Sequence, residues 1–143
     1  MSCVFCENPE IQKQIVVENE LAFAFPTNLP ITPGHLLVSP KRHVEYYGEL
    51  TSYEQLAIED LRNKLQTALE KVFDAKGFNF AWNHGEMGGQ AVPHFHLHVV
   101  PRTEGDAGIH RYDPRVFLYR PGSRAKSPDE ELVEIAGTIK AAL

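Results

Sequence analysis

Apolar residues fall in short runs through the first 50 positions and then take up a helical period. Val16-Val17 and Leu21 to Phe25 read as two short strands around a turn at Glu18-Asn19-Glu20. Pro26 to Gly34 holds three prolines, a Thr-Asn pair and a glycine, which predicts a loop. His35 to Ser39 is an apolar run stopped by Pro40 and suits a buried strand. Thr51-Ser52-Tyr53-Glu54 has the form of a capping box, in which hydroxyl and carboxylate each satisfy an exposed N–H group. Leu56, Leu61, Leu65, Leu69, Val72 and Phe73 follow at near-helical spacing, with Gly77 as the predicted stop.

Beyond that helix, Phe78 to Trp82 predicts an aromatic strand, Glu86 to Gln90 a glycine-bearing turn, and Phe95 to Val100 a further strand. Residues 102–125 are polar with scattered Gly and Pro, and one strand is expected there at Val116-Phe117-Leu118-Tyr119. Ser127-Pro128-Asp129-Glu130 is a second helix start, with proline at the first helical position. Leu132, Ile135, Ile139 and Leu143 then mark an amphipathic C-terminal helix. Strands without regular βαβ alternation, flanked by two helices, predict an α+β fold with a mainly antiparallel sheet. No repeat or linker divides the chain, so residues 1–143 are expected to form a single domain.

Composition narrows the function. With 43 % hydrophobic residues the chain can bury a core without disulfides, and its net charge of −5 argues against extended binding to nucleic acid. No apolar run approaches the roughly 20 residues that cross a bilayer. Met1 to Pro9 lacks the basic and apolar regions of a secretory signal. Two cysteines are fewer than a secreted disulfide scaffold carries. The expectation is a soluble cytoplasmic protein.

The chemistry concentrates in Pro93-His94-Phe95-His96-Leu97-His98-Val99-Val100. Strand alternation turns Phe95, Leu97 and Val99 to the core and lines up His94, His96 and His98 on the other face, roughly 6–7 Å apart. Imidazoles so placed can attack, bind and pass protons near neutral pH. Alternating histidines could also hold a catalytic zinc, or merely fill polar positions on an exposed strand. Gly88-Gly89-Gln90 ahead of the row could bring backbone N–H groups to an anion. The Asn83 amide could hold a phosphate or ribose oxygen, and His35 could support the row from a neighbouring strand. Cys3 and Cys6, two residues apart, suit zinc, a redox pair or two buried thiols. His84 and His110 are expected at the surface.

Gln90-Ala91-Val92-Pro93-His94-Phe95-His96-Leu97-His98-Val99-Val100-Pro101-Arg102 resembles the signature of the histidine triad (HIT) superfamily of nucleotide hydrolases and transferases. Pro33-Gly34-His35 through His43 resembles a second block of that family, and Cys3-Val4-Phe5-Cys6 its N-terminal block. The likeness runs from residue 3 to about 106 and takes in the C-terminal helix; 108–126 has no counterpart. It implies that His96 attacks an α-phosphorus to form a nucleotidyl-imidazole that water resolves. It further implies that His98 contacts the phosphate and helps protonate the leaving group, with Asn83 and backbone N–H groups stabilising the phosphoryl oxygens.

Nucleotidyltransferases of the superfamily carry Gln at the third triad position, so His98 favours hydrolysis over transfer. Implied substrates are a dinucleoside polyphosphate or an AMP conjugate, with adenine as the base; a nucleotide-binding adaptor with incidental turnover is the competing class. The resemblance also places Val4 and Phe5 at the base and Thr27 or Asn28 at the ribose, where many members have Asp or Asn. Ala91 replaces a hydroxyl residue that contacts the leaving side in many members. Some members bind structural zinc through the equivalents of Cys3, Cys6, His43 and His94, and members pair as homodimers through the long helix and a sheet edge.

Overall fold

The computed structural model describes residues 2–106 and 126–143. The strand expected at 116–119 and His110 lie outside the described residues. In chain order the elements are α1 (Val4–Glu7), α2 (Pro9–Gln14), β1 (Val17–Glu18), β2 (Ala22–Pro26), β3 (Leu36–Pro40), α3 (Ser52–Phe73), β4 (Gly77–Ala81), β5 (Leu97–Arg102) and α4 (Asp129–Ala141). Short 3₁₀ turns stand at Tyr47–Glu49 and Glu86–Gly88. The strands form one sheet in the order β1-β2-β3-β5-β4, every pair antiparallel, as expected of an α+β fold.

Helix α3 starts where the capping box predicts. Thr51 Oγ1 accepts from the Glu54 amide at 3.1 Å, and Glu54 Oε1 accepts from the Thr51 amide at 2.9 Å. The same carboxylate takes two bonds from Arg42, at 3.1 and 2.7 Å, so burying it leaves no unpaired charge. The helix does not run to Gly77. It ends at Phe73, because Asp74 adopts the left-handed conformation (φ 53°), and Gly77 opens β4 instead. Pro128 is the residue before α4 rather than its first member, and α1 and α2 were not read from the apolar pattern. Their runs of four and six residues are too short for a helical period to show.

The sheet divides the interior in two. Ala22, Ala24, Leu36, Val38, Leu97 and Val99 face α3, packing on Leu61, Leu65 and Leu69 together with Ile139 of α4. Leu56, read as part of that stripe, faces outward, and Ile58 and Ala68 fill the buried face instead. On the opposite side Phe23, Phe25 and Leu37 meet Cys3, Phe5 and Ile11 from the N-terminal turns. This second, smaller core carries the site.

Candidate active site

Register puts Leu37 opposite His98 and Leu36 opposite Val99, so His98 shares the smaller-core face with Leu37 while its apolar neighbours face α3. Phe95, Leu97 and Val99 are buried, as the alternation requires. The strand itself begins at Leu97, one residue after His96, and His94 sits in the bend before it. His94 and His96 are nevertheless buried, and the His96 and His98 rings are 5.1 Å apart. His35, just ahead of β3, is buried behind them.

Backbone groups with fixed roles set the tautomer of each neutral ring. The Ile31 amide donates to His35 Nδ1 at 3.0 Å, which leaves the His35 proton on Nε2. That proton is directed to His98 Nδ1, 2.9 Å away, so His98 carries its own proton on Nε2. His96 Nδ1–H donates to the His94 carbonyl at 2.8 Å and leaves a lone pair on Nε2. His94 Nε2–H donates to the Pro40 carbonyl at 2.8 Å and leaves a lone pair on Nδ1. One ring thereby presents a lone pair, its neighbour an N–H, and the third a lone pair of its own. Burial holds His96 below the ordinary imidazole value, the bond to the His94 carbonyl partly opposing it. His94 is lowered for the same first reason.

The His94 lone pair faces two sulfurs. Cys3 Sγ and Cys6 Sγ each lie 3.5 Å from His94 Nδ1, and His43 Nδ1 lies 3.7 Å from Cys6 Sγ. All four ligand atoms fall within 4.8 Å of one another, and both cysteines are free thiols. A tetrahedral zinc with ordinary bonds to sulfur and nitrogen separates its ligands by roughly 3.4–3.8 Å. The residues therefore fit a metal ion, with the Pro40 carbonyl orienting one ligand from behind.

Phe5 stands between the two cysteines in α1. Its ring meets His96 edge-on at 5.2 Å, His94 at 5.6 Å and Phe25 at 5.1 Å. It also lines a cavity of about 140 Å³ with Val4, Thr27, Asn28, Phe25 and Leu37. Four residues expected at base and ribose thus share one concavity. Val4 is half exposed at its rim, whereas Phe5 is buried. Thr27 Oγ1 accepts from the Leu29 amide at 3.2 Å, which leaves its hydroxyl hydrogen to donate. Gln14 and Asp129 also line the cavity and are bonded to each other at 3.0 Å. No sequence signal joined them, since 115 positions separate them.

The turn before the triad differs from its expected role. The amides of Gly88 and Gln90 both donate to the Gly85 carbonyl, and that of Gly89 to Glu86, so these N–H groups are engaged inside the turn rather than presented to an anion. Gly89 supplies the left-handed residue that closes the turn (φ 95°). The Gln90 amide clamps the turn, donating to the Glu45 carbonyl at 2.8 Å and accepting from the Gly85 amide at 2.8 Å. Asn83 Nδ2 donates to the Gly89 carbonyl at 3.1 Å, so this turn positions Asn83. His84 is exposed, as expected, and stacks on Tyr46 with centroids 4.3 Å apart.

Comparison with known proteins adds four observations. The family model described as HIT domain matches residues 8–105. An uncharacterized HIT-like protein of Mycoplasma genitalium is 36 % identical over 110 residues, covering 76 % of this chain and 78 % of its own length. The asymmetrical bis(5'-nucleosyl)-tetraphosphatase of Schizosaccharomyces pombe is 38 % identical over 96 residues, covering 67 % of this chain and 53 % of its own length. Among solved structures, a Zn-bound histidine triad family protein from Mycobacterium smegmatis superposes with TM-score 0.73 at 28 % identity, covering 99 % of this chain and 94 % of that one.

Proposed function

This chain belongs to the HIT domain family, and from that premise we propose that it hydrolyses a nucleoside phosphoanhydride or phosphoramidate through a nucleotidyl-His96 intermediate. The observation that carries the reading is the tautomer pair: a lone pair on His96 Nε2 beside a proton on His98 Nε2. His96 Nε2 attacks the α-phosphorus, and the bond to the leaving group breaks. The ring keeps its Nδ1 proton and becomes positive, a charge that the His94 carbonyl dipole stabilises through the existing hydrogen bond. His98 Nε2–H bonds a departing phosphate, or gives its proton to a departing amine. Water then attacks phosphorus, the P–N bond breaks, neutral His96 returns, and the water proton passes to solvent or restores His98.

The cavity of about 140 Å³ falls below the roughly 300 Å³ of a whole-ligand pocket, so it takes one part of the substrate. Phe5, Val4 and Leu37 suit a base there, and Thr27 and Asn28 suit the ribose hydroxyls. Asn83, steadied by Gly89 and Gln90, takes a phosphoryl oxygen. The enzyme-bound half is a nucleoside 5'-phosphate; AMP is the sequence expectation. The relative named as a dinucleoside tetraphosphatase supports an anhydride substrate. Cys3, Cys6, His43 and His94 would hold a zinc ion with four protein ligands and no open position, a structural site that would leave His94 out of the proton chemistry.

A homodimer completes the proposal. Among the described residues β4 is a sheet edge, with exposed Phe80, Trp82 and Tyr47 beside it. With Ile58 and Arg62 of α3 these line a groove of about 270 Å³ that a second copy, paired about a two-fold axis, would cover.

The test is His96→Ala assayed on a panel of dinucleoside polyphosphates and AMP conjugates. Turnover should vanish while mononucleotide binding persists, and quenching wild type during turnover should trap a phosphorus–nitrogen adduct on His96. Near-normal turnover by the variant would sink the mechanism. Binding without turnover in wild type would favour an adaptor.

A further inference from the structure

We infer that Gln14 and Asp129 read the edge of the bound base, and that they select guanine over adenine. This rests on the cavity being a nucleotide's base pocket. Gln14 is 3 % exposed, yet its amide is only half used: Nε2 donates to Asp129 Oδ1 at 3.0 Å. Among the described residues no donor reaches Gln14 Oε1 or Asp129 Oδ2, and both side chains line the cavity. The amide–carboxylate bond holds the two groups together and leaves two acceptors, Gln14 Oε1 and Asp129 Oδ2, beside the second Gln14 Nε2–H. Gln14 Oε1 opens into the cavity rather than being sealed in the protein, so a ligand that donates would replace water on it. Of the neighbouring donors, Asn8 Nδ2 bonds neither oxygen among the described residues, and Lys13 Nζ is given to Glu10.

Two acceptors together match two donors together. Guanine presents N1–H beside its 2-amino group. Adenine offers a single amino group on that edge, so it can satisfy only one of the two acceptors. The apolar walls from Phe5, Phe25 and Leu37 hold either ring, so the discrimination falls to the edge. Helix α4 is what makes it possible, since Asp129 is its first residue and α4 packs on α2, which carries Gln14. Asp129 is exposed, and water competes for it. The preference is therefore set on the order of tenfold, at the lower end for a paired-donor contact.

Isothermal calorimetry of the full chain with GMP, IMP and AMP tests this. GMP should bind about tenfold tighter than AMP, with IMP, which keeps N1–H but lacks the amino group, in between. Asp129→Asn, which keeps shape while replacing the free acceptor, and Gln14→Leu should each bring the GMP-to-AMP ratio close to one. Circular dichroism melts of both variants establish that they are folded. Equal affinities in wild type, or a preference that survives both substitutions, would overturn the base assignment and leave the nucleotide site standing. Failure of all three nucleotides to bind would overturn the nucleotide site itself and this inference with it.

Discussion

Replacing His35 by leucine separates positioning from chemistry. His35 is a positioning residue: it is 1 % exposed and acts through His98, whose tautomer it sets. Leucine approximates the volume but cannot donate to His98 Nδ1 or accept from the Ile31 amide. Leaving those partly buried groups unpaired costs about 1–3 kcal/mol. At roughly 3–4 °C per kcal/mol for a chain of this length, the melting temperature should fall by about 3–12 °C. His98 would then be free to move its proton to Nδ1, which removes the donor aimed at the leaving group. Complete loss of such a donor lowers kcat by about 10²–10³, but a tautomer mixture lowers it only by the misprotonated fraction, roughly two- to fivefold, with KM changed far less. Kinetics at saturating substrate and long-range ¹⁵N–¹H imidazole spectra are the assays. Wild type should show His98 protonated on Nε2, and His35→Leu should show a mixture. Full kcat with only a lowered melting temperature, or a wild-type His98 protonated on Nδ1, would refute the reasoning.

Further expectations follow from the same geometry. Because His96 must be neutral to attack and burial holds it below 6.5, the acid limb of kcat/KM should lie below pH 6.5; a limb above that value contradicts the assignment. The sign for stability is the same. The native state disfavours the proton, so the contribution of His96 is present above pH 6.5 and is lost as pH falls towards its lowered native value, which denaturant titrations across pH 5–7 would register. Protein purified without chelator should hold close to one zinc per chain, and Cys3→Ser with Cys6→Ser should lower the melting temperature. Below about 0.2 zinc per chain, or an unchanged melt, the structural-zinc assignment fails. Phe80→Glu should turn a dimer into a monomer by light scattering at micromolar concentration, and a monomeric wild type would remove the proposed interface.

The sequence by itself determined whatever depends on neighbours along the chain. The Thr51 capping box, the leucine period of α3 from Leu61 on and the burial of Phe95, Leu97 and Val99 are local patterns, and the structure shows each of them. The triad, His35 and the Cys3–Cys6 pair were legible because their residue types are costly to keep without chemistry. Tertiary structure decided the roles that need a partner from elsewhere. The tautomers of His35, His96 and His98 follow from the Ile31 amide and the His94 carbonyl, which no side-chain pattern records. The engagement of the Gly88–Gln90 amides depends on how that turn closes on Gly85 and Glu86, and glycine content alone predicts either outcome. Cys3 and His94 meet across 91 positions, and Gln14 and Asp129 across 115. Periodicity reports which face of an element is buried; only the packing of one element on another fixes what that face meets.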